Sequence, residues 1–457
     1  MQKENILGYE KIPKLIAKFA VPSIMAMLIS SLYNIVDQIF IGHGVGYLGN
    51  AATNVSFPLT SICLAIALLI GVGSAAGFSL KLGAGDKETA AKYVGNAVIM
   101  AVFAGIIYFI VIQLFARQML WAFGATEAVM PYAEIYTRIT GVGMPLLVVM
   151  NCMSNLARAD GSPKYSMICM MIGAVVNTVL DWLFVMVFCW GVAGAAWATV
   201  IGQVFSFFAA VAYLKKFKSI QLTRNSFKLN PKICGTVLSL GLSNSLNQVA
   251  ITLVQVVLNN SLTHYGALSK YGQDIPLAAS GIVMKVNSIL VSIFVGMSQG
   301  SQPIIGFNYG AGKYARVRKT YLTASSITVA ISFFGFLMFQ LCPEVLISLF
   351  GTGDQLYFEF AVKFMRTFLF MVAVNGVQTI SSNFFSAIGK PLKGAFLSLT
   401  RQVIFLIPLL LIFPIFWGID GIMFTAPVSD TLAFVLSISM VLDEFAKMKK
   451  QEKLSSI

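Results

Sequence analysis

Long apolar runs, broken at short intervals by charged or glycine-rich turns, restrict this chain more than any motif in it. A helix needs about 20 apolar residues to cross a bilayer. Read at that length, the sequence predicts twelve spans: 15–41, 54–80, 93–115, 132–157, 164–189, 192–214, 235–262, 277–308, 320–342, 360–387, 394–416 and 419–442. Only 11% of the residues are charged and 57% are hydrophobic, where a soluble domain averages roughly 25% charge. That leaves too little polar surface to cover a globule. The chain reads as an all-α polytopic membrane protein. Several spans exceed the bilayer thickness and must tilt, bend or project, and Pro22, Pro58, Pro145, Pro303 and Pro408 lie where they can kink them.

The net charge of +14 does not point to nucleic acid, because the basic residues lie in short clusters between apolar runs. Lys81, Lys87 and Lys92, the segment 215–232, Lys313 to Lys319, and Lys447 to Lys453 alternate with loops that hold little beyond Arg117 and Lys270. The positive-inside rule then puts both termini in the cytoplasm. No cleaved signal peptide is expected from residues 1–18, and the tail 447–457 reads as short, charged and frayed. The six cysteines form no CxxC or Cys/His cluster, so neither a disulfide framework nor a zinc site is expected.

The sequence repeats itself at a shift of about 227. Leu82-Gly83-Ala84-Gly85-Asp86-Lys87 aligns with Tyr309-Gly310-Ala311-Gly312-Lys313-Tyr314, and Gly73-Ser74 with Gly300-Ser301. Phe123-Gly124 aligns with Phe350-Gly351, Gly161 and Pro163 with Gly389 and Pro391, and Trp190-Gly191 with Trp417-Gly418. Each half holds six spans. An even number returns the chain to its starting side, so the halves are parallel copies about an axis along the membrane normal, with the cavity between them. The expected organisation is an N-terminal six-helix lobe (1–214), a linker (215–234), and a C-terminal six-helix lobe with a short tail (235–457). The Gly-Ala-Gly segments lack a Walker lysine pattern and a preceding strand, so they read as tight turns and not as phosphate loops.

The copies differ where they carry charge. Asp37 aligns near apolar Val257, and Asp181 aligns with an apolar stretch near residues 405–409. An ionised carboxylate at the bilayer centre costs about 2.5–3.5 kcal/mol on insertion scales, so it marks a partner, a wet cavity or a task. Asn177 shares a helix face with Asp181, and Thr199 is four residues from Gln203. Two carboxylates in one low-dielectric lobe repel when both are ionised. A shared proton offsets this, as does a small cation held by carboxylate, Asn and Thr oxygens. H+ and Na+ both remain open, as does plain satisfaction by a neighbouring helix. Tyr33, Asn34, Met153, Phe184, Gln203, Asn247, Gln248, Gln255 and Lys285 are candidates to line a substrate cavity. Arg401 and Lys285 are each placed to snorkel, and a Lys285–Asp430 pair is an alternative.

These residues resemble the multidrug and toxic compound extrusion (MATE) family of secondary transporters, in particular its MepA-like bacterial members. The resemblance spans nearly the whole chain. It rests on Asp37 within Val36-Asp37-Gln38-Ile39-Phe40-Ile41-Gly42, the paired Gly-Ala-Gly turns, the turn Asn155…Ala159-Asp160-Gly161-Ser162-Pro163, and Asn177…Asp181. It implies a V-shaped pair of lobes in a bacterial plasma membrane. It also implies export of cationic or amphipathic organic compounds in exchange for H+ or Na+, by alternating access. The positions matching the family's cation or proton site are Asp37, Asn177, Asp181 and Thr199; these are metal ligands only if Na+ is the coupling ion. No other cofactor is implied, and the expected functional unit is a monomer. Other family branches carry carboxylates in the seventh and tenth spans; here the seventh offers Gln248 and Gln255, and the tenth has no acid between Gly376 and Ser386. The rival readings are a flippase of lipid-linked precursors, which would want a strongly cationic cavity, and a channel. No nucleophile–base pair suggests an enzyme.

Overall fold

The computed structural model describes residues 5–349 and 355–455, so the Phe350-Gly351 half of one repeat pair lies outside the described residues. In hydrocarbon every backbone N–H and C=O must be bonded internally, and long apolar segments therefore close as helices. The N-terminal lobe contains α1 (Ile12–Val45), α2 (Tyr47–Gly83), α3 (Lys87–Ala122), α4 (Met130–Ala159), α5 (Pro163–Asp181) and α6 (Gly191–Val211). The second half contains α7 (Pro231–Ala267), α8 (Asp274–Gly310), α9 (Tyr314–Leu341), the short α10 (Pro343–Ser348), α11 (Gln355–Phe368), α12 (Val372–Ala387), α13 (Pro391–Leu399) and α14 (Ile407–Ser455). Among the described residues, ten helices are long and apolar enough to cross a membrane, or eleven with one bent pair counted as a span. The last, Pro391–Lys453, breaks at Gly418 and makes two passes, which gives twelve.

The repeat is visible in the backbone. The aligned glycines adopt the same left-handed conformation: φ is 82° at Gly85 and 71° at Gly312, 87° at Gly161 and 78° at Gly389, 60° at Gly191 and 58° at Gly418. Only glycine enters that region at no steric cost, so the same residue turns the chain at the same point in both copies.

Two elements differ from the sequence reading. The expected tenth span, 360–387, is two helices, α11 and α12, bent by 51°. The amide of Gln340, from α9, donates to the Arg366 carbonyl at 2.8 Å, satisfying a carbonyl that the break leaves without a helical partner. The C-terminal tail is not frayed: α14 continues to Ser455. Its Glu444 is buried and receives Lys390 and, at 3.0 Å, Lys393, while Glu452 pairs with Arg318 at 2.8 Å.

Apolar packing forms three main cores. One, around Phe78, Met144 and Leu156, fills the first lobe. Another, around Phe294, Phe360 and Phe364, fills the second. The third joins the lobes, packing Leu15 and Phe19 of α1 against Met297 and Ile304 of α8 and Phe384 of α12. The first part of α1 therefore packs with the second lobe, whereas its last part packs with the first.

The lobes meet on the side that carries the termini and the basic turns, called here the terminal end. There, small residues allow backbones to touch. Gly83 lies against the Phe307 carbonyl and Gly310 against the Leu80 carbonyl, a reciprocal pair in the repeat register. Gly73 lies against the Val237 carbonyl and Gly241 against the Leu69 carbonyl. Arg158 Nη1 donates to Gln299 Oε1 across the seam at 2.6 Å, and Gln302 Nε2 to the Val72 carbonyl at 3.2 Å. Halfway along, two hydroxyl pairs close the contact: Ser31 with Ser292 and Ser61 with Thr252, each at 2.6 Å. The hydrogen bonds between lobes among the described residues lie at or to the terminal side of these pairs. Beyond them Asn34, Asn54, Phe57 and Lys285, on the seam helices, are exposed.

Candidate functional site

Close helix packing builds the first lobe's polar centre. Gly173 and Gly202 bring α5 and α6 together, with Gly202 facing the Gly173 carbonyl and the Cβ of Asn177. This carries Asn177 to Thr199, and Asn177 Nδ2 donates to Thr199 Oγ1 at 3.3 Å. Asp181 ends α5, and the chain then winds as a π-helical segment, Trp182–Val187. Such bulges re-aim side chains and recur at functional sites. Asp181 is completely buried and Asn177 nearly so.

Asp37 reaches this group from α1. Its carboxyl group and that of Asp181 are near enough to interact electrostatically, and both act on the hydroxyls of Tyr33 and Tyr136. Ile41, Val185 and Ala195, all buried, pack over the cluster with Val45 and Tyr136. The acceptor atoms Asp37 Oδ1, Asp181 Oδ1, Asp181 Oδ2, Asn177 Oδ1 and Gln203 Oε1 are buried without a hydrogen-bond donor. Unpaired buried acceptors are costly, each by about 1–3 kcal/mol, and here several share one spot. Chemically the group is an oxygen-only donor set with two carboxylates, suited to a proton or a hard cation and not to a thiophilic or imidazole-binding metal. It contains no cluster of three His, Cys, Asp or Glu among the described residues.

The structure thus brings Asp37, Asn177, Asp181 and Thr199 together, with Tyr33 beside them and Gln203 one turn along α6. The cavity candidates are scattered. Met153 is fully buried in the first lobe's core, so it packs helices and presents no surface to a cavity. Phe184 stacks on Phe188 and Trp190 beyond the π segment, at ring separations of 6.0 and 4.8 Å. Asn34 is exposed and donates to the Ser30 carbonyl at 2.7 Å. Gln248 donates to Ser61 across the seam at 3.0 Å, and Gln255 to Asn259 at 2.9 Å. Asn247 is half-buried on α7, and Lys285 is exposed on α8. Asp430 does not pair with Lys285: Arg401 Nε donates to it at 2.5 Å, inside the second lobe.

Two participants escaped the sequence reading. Tyr136, on α4, closes the carboxylate site; a lone aromatic in an apolar span gives no signal of this. Arg158, in the last turn of α4 beside the turn that Lys164 follows, is buried in the seam with its Nε unpartnered. Its position among basic loop residues hid it.

Twelve membrane helices in two repeated lobes, with a buried oxygen cluster in one, define a transporter architecture. The MatE family matches residues 22–183 and 244–412, and the chain belongs to that family. It is 25% identical to the multidrug export protein MepA of Staphylococcus aureus (strain NCTC 8325 / PS 47), over 96% of each chain. Its fold superposes on a MATE crystallised in complex with MaL6 at a TM-score of 0.92 and 22% identity, covering 98% of this chain and 100% of the other. An outward-facing multidrug resistance MATE family transporter of the MOP superfamily gives a TM-score of 0.91 at 22% identity, covering 98% and 99%.

Proposed function

We propose that this protein exports amphipathic organic compounds, cations among them, across a bacterial plasma membrane in exchange for H+ or Na+. The observation that carries the reading is the electrostatic coupling of Asp37 and Asp181 inside a set of donor-less oxygens. Two ionised carboxylates repel at that range in a low-dielectric lobe. A proton or Na+ arriving as co-substrate supplies the missing positive charge, so ion occupancy and this packing of α1, α5 and α6 favour each other. Asp37 is only half-buried, which leaves the pair a route to water. Positive-inside orientation puts the closed terminal end in the cytoplasm and the open end outside. In that orientation the lobes are apart where substrate would leave and coupling ion would enter. A swing that opens the terminal end completes alternating access. Kinship with a multidrug export protein supports the broad substrate range.

The test is dye efflux from proteoliposomes with a pH gradient and a Na+ gradient imposed separately. Asp37→Asn and Asp181→Asn should each abolish gradient dependence and cut efflux by about 5- to 150-fold, the range of ordinary coupling energies. Gradient-driven efflux that survives both substitutions would remove this site from the mechanism.

A further inference from the structure

On the flank of the second lobe, where α9, α11 and α14 approach the open end, two adjoining hollows share Arg366 and Thr367. The first is bordered by Glu344, Glu359 and Lys363, the second by Gln340, Phe370, Phe424 and Pro427. Together they form a groove that passes from charged to apolar. The helix faces beside it are apolar and exposed: Phe333, Phe334 and Leu337 on α9, and Phe424, Val428 and Leu432 on α14. On a membrane-spanning chain that surface is covered by lipid.

The groove crosses the boundary between headgroups and hydrocarbon. The exposed Lys363–Asp420 pair, at 2.7 Å and two residues past the Gly418 turn, marks its aqueous rim. Helical spacing puts Arg366 and Phe424 about one turn deeper than that pair, and Pro427 about two. The Gln340 amide is occupied by the Arg366 carbonyl, which leaves the Arg366 side chain to face outwards.

The charges on the rim are unequally used. Glu359 takes Lys270 at 2.6 Å, and Lys363 takes Asp420. Arg366 and Glu344 are exposed, and neither has an ion-pair partner among the described residues. The groove therefore offers one guanidinium and one carboxylate above an apolar floor. A guanidinium matches a phosphodiester in shape and charge. A carboxylate on the same rim favours an ammonium and disfavours a second negative charge.

We infer that this groove is a binding site for a zwitterionic phospholipid of the leaflet at the open end. Its phosphate pairs with Arg366, its amine headgroup with Glu344, and its acyl chains lie along Phe370, Phe424 and Pro427. The site belongs to the second lobe alone and does not depend on the coupling ion or the exported compound.

Native mass spectrometry of the full-length protein reads the affinity of the first bound lipid. Phosphatidylethanolamine, phosphatidylglycerol and diacylglycerol with the same acyl chains are added singly. Wild type should hold the ethanolamine lipid about three- to tenfold more tightly than either of the others. Arg366→Gln should lower it to the level of diacylglycerol, and Arg366→Lys should recover part of the loss. Glu344→Gln should make the ethanolamine and glycerol headgroups bind alike. Both side chains are exposed, so thermal unfolding in detergent should be unchanged in these variants. Arg117→Gln removes an exposed arginine near the open end of α3 and should leave all three affinities as they are. Equal wild-type affinity for the ethanolamine and glycerol lipids overturns the inference, as does full retention in Arg366→Gln. An equal loss in Arg117→Gln also overturns it, because Arg366 would then be an ordinary snorkelling arginine.

Discussion

Asp160 illustrates a charge kept for folding. Its Oδ2 accepts the Tyr213 hydroxyl and the Lys218 N–H, both at 2.7 Å, and its Oδ1 accepts the Ser219 N–H at 3.0 Å. The carboxylate thus stitches the inter-lobe linker to the first lobe. Burial pushes its pKa up while those donors push it down. Removing it strands buried donors, so Asp160→Ala should cost about 2–3 kcal/mol. The measurement is the apparent Tm in detergent; Asp160→Asn, which keeps one acceptor, should lose less. An unchanged Tm for Asp160→Ala would mean that the linker is anchored elsewhere. Asp37 and Asp181 are the opposite case. Asp37 Oδ1 and both Asp181 oxygens have no donors, and no folding benefit accounts for placing them together. The difference between a structural and a functional acid therefore lies in who donates to it.

At the level of helices, contact between backbones carries the assembly. Gly83 and Gly310 face each other's helix carbonyls, Phe307 and Leu80, in one repeat register. A side chain at either point meets backbone, which cannot rotate aside. Gly83→Val should cost this closure about 1–3 kcal/mol by overpacking and push the terminal ends of α2 and α8 apart. Spin labels at exposed positions on the turns after these helices should report longer distances between lobes, with each lobe's helix content unchanged. A distance distribution like that of wild type would show that the seam does not depend on this glycine pair. The π segment after Asp181 works by a different device: it changes where the chain points without ending the span.

Across the whole molecule, α1 ties the two lobes together. Its first part packs on α8 and α12, its last part delivers Asp37 to α5 and α6, and the N-terminal segment before it is clasped by the second lobe. There Asn308 donates to the Leu7 carbonyl at 2.9 Å, and Arg316 to the Glu10 carbonyl at 2.7 Å. Ion binding on one lobe is thereby connected to a helix seated on the other. The Ser31–Ser292 contact marks where the lobes part. Ser31→Cys with Ser292→Cys, in a background lacking the exposed Cys189 and Cys342, should cross-link on oxidation. The cross-linked protein should stop efflux yet still bind dye, and reduction should restore efflux. Full turnover in the cross-linked form would mean that the seam stays closed at this point throughout the cycle.

The sequence by itself determined the number of membrane passes, the repeat and its register, and the asymmetry of charge between the halves. These are legible because hydrocarbon thickness sets span length and because left-handed turns demand glycine at fixed positions. It singled out Asp37, Asn177, Asp181 and Thr199, since each departs from an apolar background. Only the tertiary structure decided which of them touch, that Tyr136 joins them, that Met153 is core, that Asp430 takes Arg401 and leaves Lys285 alone, and that α11 and α12 break apart. Those outcomes depend on helix rotation and interlobe packing. A sequence period specifies the face of a helix; it does not specify which neighbour that face meets.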